Sequence, residues 1–180
     1  MTEKRFEVTS TSSLGHGVFL ELERVTVRAP GGEEMVRDVL RHPGGVAILA
    51  VDDAEVWMIR QHRVALGMEI DEIPAGKMDR AHENPETAAR RELAEELGAT
   101  ARHFEHLATM APSPGYTDEL IEIYLAEGLE FGERTPDGAE EREATVFSVP
   151  IDEALDSIHR GQIIDAKTQV ALLAWQRRQF

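Results

Sequence analysis

The sequence predicts an α+β fold, strands and helices preceded by a small β-meander, and three observations carry that expectation. Before Arg60 the apolar residues mostly alternate with polar ones or gather in a short aliphatic run, the patterns of strands. Over Pro85–Leu97, and again after Ile151, apolar residues recur at helical spacing. The chain has 180 residues, which fits one domain of the usual ~100–200 with at most a small appendage. The expected division is a β-rich segment, residues 1–43, followed by the main domain, 44–180.

The elements follow in order. Phe6-Glu7-Val8-Thr9 is a first strand, and the alternating run from Gly17 to Val27 is a second. The alternation changes phase between Leu22 and Val25, which predicts a bulge or a change of sheet there. Pro30-Gly31-Gly32 turns the chain, and Met35–Leu40 returns as a strand. Strands with half-polar faces bury little by themselves, so this meander has to pack on the main domain or on a second copy. Val46–Val51 is a buried strand, Asp52-Asp53 its turn and Glu55–Arg60 the hairpin partner. Next comes a helix over 85–97, with Asn84 as N-cap, Pro85 in its first position, Glu86 in its first turn and Gly98 behind it. Its stripe of Ala89, Leu93 and Leu97 should be buried. Strands are expected over Glu119–Ala126 and Ala144–Val149. Two helices close the chain, Ile151–Arg160 before Gly161, and a second from an Asp165 N-cap to Arg178.

Composition narrows the chemistry. The 34 acidic against 19 basic residues give a net charge of −15, which opposes a nucleic-acid polymer, since binding one rests on neutralising phosphates with Lys and Arg. With no cysteine, thiolate catalysis, disulfides and thiolate metal sites are excluded, and any metal should be a hard one held by oxygen. The longest apolar run, Val46–Val51, is far short of the ~18–20 residues of a membrane helix. The first residues lack the apolar stretch of a signal peptide, so the cytoplasm is the expected compartment.

Chemistry concentrates between Gly76 and Gly98. On the predicted helix Glu92 and Glu96 are four residues apart and project from one face, with Glu95 beside them. Like charges so placed repel, and a divalent cation or Arg91, four residues before Glu95, would relieve them. Gly76 could let the carbonyl of Ala75 turn toward the same cation. Carboxylates and a carbonyl suit Mg²⁺ or Mn²⁺. Taken alone, Arg-Glu-Leu-Ala-Glu-Glu would equally make an ordinary surface helix rich in ion pairs.

The hexapeptide does not stand alone. Gly76, Glu83, Arg91, Glu92, Leu93, Glu95, Glu96 and Gly98 resemble the signature of the Nudix hydrolases, with its seven-residue gap from Glu83 to Arg91. In one departure, six residues rather than five separate Gly76 from Glu83, so His82 takes the five-residue position. The resemblance implies an α/β/α sandwich with a mixed sheet, and divalent-metal hydrolysis of a nucleoside diphosphate linked to another group. It makes Glu92 and Glu96 the principal metal ligands, Glu95 an assisting one, Ala75 a carbonyl donor and Arg91 the residue that orients them.

Flanking segments are similar to those of ADP-ribose pyrophosphatases: Arg60-Gln61-His62-Arg63, Glu72–Asp79, Pro112–Glu119 and Gly161–Thr168. That similarity implies hydrolysis of ADP-ribose to AMP and ribose 5-phosphate, with substrate contacts from Arg60, Gln61, Arg63, Gly115 and Tyr116. An arginine at a strand end can also simply pair with a surface acid. It further implies a glutamate in the late loop 135–143 that acts as catalytic base or as a further ligand positioning the water, with Glu141 the first choice and Glu140 the second, while Glu143 can begin the next strand. Homodimers exchanging N-terminal strands are also implied. The competing expectations are a pyrophosphatase for another sugar nucleotide such as GDP-mannose, and a non-catalytic sensor that binds ADP-ribose.

Overall fold

A computed structural model describes residues 5–80 and 83–178, so His82 lies outside the described residues. Two compact units emerge, one of residues up to Gly44 together with Ser113–Glu119, the other of Gly45–Pro112 with the chain from Leu120 onward.

The first unit is a three-stranded antiparallel sheet of β1 (Glu7–His16), β2 (Glu21–Arg28) and β3 (Glu34–Arg41), in that order. Two expectations are corrected. The first strand runs on through the Ser/Thr-rich stretch to His16, and the second begins only at Glu21. The bulge expected at Leu22–Val25 is not in β2, which pairs with β3 without a break from Glu21–Arg41 to Arg28–Glu34, although a register shift of β1 lies opposite Glu23 and Leu22. Within β2, Leu22 is left exposed while Val25 is buried, so its phase change needs no bulge of its own. The register shifts fall in β1, between Val8 and Ser10 and between Ser13 and Gly15, where an exposed strand absorbs extra residues without unburying anything. Residues 113–119 join this sheet's end: the Leu40 N–H donates to the Tyr116 carbonyl at 2.8 Å, and Asp118 accepts from the His42 N–H and the Arg41 guanidinium.

The second unit is built on a mixed sheet. Its strands are β4 (Gly45–Asp52), β5 (Glu55–Arg63), β6 (Met68–Glu72), β7 (Ala75–Lys77), β8 (Ala99–Met110), β9 (Ile121–Phe131) and β10 (Thr145–Pro150). The main order is β10-β5-β4-β9-β8; β4 and β9 are parallel and the other pairs antiparallel. The helices are α1 (Pro85–Leu97), α2 (Ala139–Glu143), α3 (Ile151–His159) and α4 (Ala166–Arg178). Alternation along β4 explains the layering. Ala47, Leu49 and Val51 face a cluster with Ile151, Leu155, Ala171 and Leu172 from α3 and α4, whereas Val46, Ile48 and Ala50 face Ala88, Ala89, Leu93 and Leu97 from α1. Helices therefore cover both faces, an α/β/α sandwich. Among the described residues no helix is long and apolar enough to cross a membrane.

Two local features position the site. β4 and β5 pair with each other only over Ala50–Asp52; beyond that β4 takes β7 and β5 takes β6. The connection Glu72–Ala75 thus lies where the two central strands part, anchored by the Ile48 N–H donating to the Pro74 carbonyl at 2.8 Å. Helix α1 begins as expected, the Asn84 side chain accepting from the Thr87 N–H at 2.9 Å, and ends on Gly98 with φ of 66°. Asn84→Ala should cost about 1 kcal/mol, read as a shift in urea midpoint without a change in slope.

Candidate active site

The buried face of α1 is wider than its apolar stripe. Beside Ala89, Leu93 and Leu97 runs a second row one residue earlier, Ala88, Glu92 and Glu96, and these two glutamates are as buried as the leucines around them. The spacing that packs the helix therefore also carries two carboxylates into the protein. Their partners differ. Glu96 accepts the Ala75 N–H at 2.8 Å, and Glu92 takes Arg91 Nη1 at 2.6 Å. Burial pushes the Glu96 carboxyl up to about 8, despite the Ala75 hydrogen bond, with the charges of Glu92 and Glu141 adding to the rise. Burial likewise raises Glu92, against the pull of Arg91, and Glu95 and Glu141 push the same way.

Arg91 is the hub. Its Nη1 also donates to Glu95 at 2.8 Å, its Nε and Nη2 grip Glu83 at 3.0 Å each, and Nη2 reaches the Lys77 carbonyl at 3.2 Å. The Arg91 hydrogen bonds hold Glu83 below the usual carboxylate range. The extra residue in the loop after Gly76 is thus absorbed before Glu83. Glu95 is shared with Arg80 at 2.9 Å, a partner that carried no signal in the sequence.

Late-loop acids separate clearly. The stretch expected as a loop contains the short helix α2, in which Glu140 and Glu143 are exposed while Glu141 is partly buried. Glu141 accepts the Asp137 N–H at 2.7 Å, and its charge reaches Glu92 and Glu96. Its backbone carbonyl is held by Arg134 Nη2 at 3.0 Å.

Of the residues expected to meet substrate, Arg60 and Arg63 are paired with acids across the β5–β6 ladder. Arg60 grips Asp71 at 2.6 and 2.9 Å and lies over the Phe147 ring, 5.4 Å from its centroid. Arg63 grips Glu72 at 2.5 and 2.7 Å. Gln61 is buried. Gly115 and Tyr116 fall in the first unit, with Tyr116 exposed. Sequence reasoning missed Glu72 and Lys167 as a pair. Lys167 Nζ meets the fully buried Glu72 carboxylate and also Asp165 at 2.9 Å. Burial alone would raise Glu72, but the Arg63 hydrogen bonds and the Lys167 charge outweigh it and hold Glu72 low.

Among the described residues no three carboxylates or imidazoles are already gathered as closely as a bound ion requires. The donor chemistry nevertheless fits a hard divalent cation. Glu92 and Glu96 are oxygen donors whose ionisation burial opposes, and they lie near two further acids. Glu92, Glu96, Glu95 and the Ala75 carbonyl are the residues that would hold it.

Comparison with known proteins gives this arrangement its family. A NUDIX domain model matches residues 41–171. The chain belongs to the Nudix family. An ADP-ribose pyrophosphatase of Mycobacterium tuberculosis is 38% identical over 97% of this chain and 84% of its own length. An ADP-ribose pyrophosphatase of Bacillus subtilis is 37% identical over 87% of this chain and 84% of its own. A crystal structure of an ADP compounds hydrolase superposes on this Nudix chain with a TM-score of 0.85, covering 99% of this chain and 96% of that one. At 20% identity that likeness is one of fold.

Proposed function

We propose that this Nudix hydrolase cleaves the pyrophosphate bond of ADP-ribose to give AMP and ribose 5-phosphate, with Mg²⁺ as its metal and Mn²⁺ as a substitute. The observation that carries the reading is the Glu92–Glu96 pair, two carboxylates sunk beside the core with raised proton affinity, whose charges a divalent cation would neutralise. The similarity to two ADP-ribose pyrophosphatases supports the substrate. Nudix hydrolases generally need a divalent metal, which when bound neutralises the charge on diphosphate oxygens.

The chain's own residues then divide the work. Glu92 and Glu96 supply the principal negative ligands, Glu95 assists, and Arg91 keeps all three in register. Glu141 takes the proton of the attacking water, with Glu140 the second choice. Arg60 and Arg63 serve the diphosphate, since guanidinium forks match phosphate oxygens, and Gln61, Gly115 and Tyr116 are the further substrate contacts. Residues 1–43 act as a dimerisation segment that exchanges strands with a second copy, a reading supported by the exposed Val8, Leu22 and Val36 of its sheet. The working form is a cytoplasmic homodimer acting on a small nucleotide sugar, without a nucleic-acid polymer or a membrane.

A substrate panel tests the reading. Purified protein with Mg²⁺ should release AMP from ADP-ribose and stop when EDTA is added. Consumption of GDP-mannose with ADP-ribose spared would overturn the substrate. Tight ADP-ribose binding without turnover would point instead to a sensor.

A further inference from the structure

The described residues bury six polar or charged side chains: Gln61, Glu72, Glu92, Glu96, Lys167 and Thr168. Two of these, Lys167 and Thr168, stand side by side in the first turn of α4, although the pattern that marks the site ends at Gly98. A lysine is expensive to bury, and a buried threonine hydroxyl needs partners, so both positions call for a reason.

Each residue starts a chain of bonds that ends in the site. Lys167 meets Glu72, which grips Arg63 along its Nε–Nη2 edge and leaves the Nη1 side of the fork uncommitted among the described residues. Thr168 Oγ1 accepts the Ile73 N–H at 2.9 Å, and two residues on the Ala75 N–H donates to Glu96 at 2.8 Å. Both arms share one acceptor. Asp165 Oδ1 takes Lys167 at 2.9 Å, while Oδ2 takes the Thr168 N–H at 3.0 Å and its hydroxyl at 2.6 Å.

We propose that the first turn of α4 is a positioning element with two separable outputs, Lys167 setting Arg63 through Glu72, and Thr168 setting Ala75 and Glu96 through Ile73. The assignment rests on the proposed function, in which Arg63 meets the diphosphate and Ala75 and Glu96 hold the cation. Loss of Lys167 leaves the buried Glu72 charge to Arg63 alone, so the guanidinium is held at Glu72 more tightly and turns less readily to the substrate. Loss of the Thr168 hydroxyl frees the Ile73 N–H and loosens the strand connection that fixes Ala75.

The two arms predict opposite kinetic signatures, which a common structural role would not produce. Lys167→Met should raise KM for ADP-ribose about tenfold with kcat nearly unchanged, because it removes a binding contact held through one intermediary. Thr168→Val should lower kcat roughly tenfold or more with KM nearly unchanged. Mg²⁺ alone, titrated calorimetrically into metal-free protein, should bind about tenfold more weakly to Thr168→Val and equally to Lys167→Met. Lys167→Arg and Thr168→Ser should restore wild-type values. Parallel changes in kcat and KM in both variants, or no change beyond melting temperature, overturn the proposal. If either truncation fails to fold, the milder Lys167→Gln or Thr168→Ala is read by the same split, and parallel changes in kcat and KM overturn the proposal. Wild-type turnover reads the proposed function separately: a wild type that spares ADP-ribose but cleaves another nucleotide sugar defeats that substrate, and the split is then read on the compound cleaved. A wild type inert to all of them overturns both.

Discussion

Glu96→Gln should reduce turnover by about a thousandfold while leaving the protein folded and able to bind nucleotide. Glutamine keeps the shape and can still accept the Ala75 N–H, but it cannot carry the charge that a cation requires. Loss of several kcal/mol of charge stabilisation at about 1.4 kcal/mol per decade corresponds to that factor. Unchanged turnover would remove Glu96 from the chemistry. The same substitution has a signature in metal-free protein. Burial raises the folded-state pKa of Glu96 from the usual 4.5 to about 8, so the folded protein holds this proton more tightly than the unfolded chain does. Its contribution to stability is therefore fully present below pH 4.5 and is lost as pH rises through about 8. In EDTA, wild-type stability against urea should carry this downward component between those limits, and Glu96→Gln should lack it. A cation entering the site has to displace the same proton, so Mg²⁺ affinity should rise with pH over the same window.

The cluster of Arg91 and its glutamates was legible because it is local. Arg91, Glu92, Glu95 and Glu96 lie within two turns of one helix, and helical spacing alone places them together. The caps of α1, the β4–β5 hairpin and the two closing helices were legible for the same reason. Elements defined by distant partners were not. β6 and β7 are short and exist because β5 and β4 each need a new partner where they part. β8 shows little alternation, since much of its length, including Thr100, Arg102, His103 and His106, is exposed. The bulges fell in β1 because leaving Leu22 in solvent is cheaper than breaking the β2–β3 ladder. The Glu72–Lys167 pair spans 95 residues and satisfies no periodicity, and only the fold brings its members together.

Gly76→Ala should disable the site and spare the fold. The sequence offered one reason for this glycine, freedom to turn the Ala75 carbonyl, but the structure supplies a steric one. A Cβ at position 76 would sit 2.0 Å from the Glu92 Cδ and Oε1, well inside any tolerable contact. The obstructing atoms are the end of a flexible side chain, so Glu92 can swing away at little cost to stability. In doing so it abandons its 2.6 Å contact with Arg91 and its place beside Glu96. Misplacing a reacting or binding group by an ångström costs about a hundredfold in rate, and Glu92 must move at least that far. Activity should therefore fall by about two decades while the urea midpoint moves little. Gly98→Ala is the contrasting control. That glycine has φ of 66°, and its added Cβ would meet the Gly132 carbonyl at 2.8 Å and the Arg134 N–H at 2.9 Å, backbone atoms that cannot rotate aside. There the loss should appear first in stability. An alanine at position 76 that left activity intact would mean that Glu92 works from a different rotamer and that the Arg91 contact is not part of the working site.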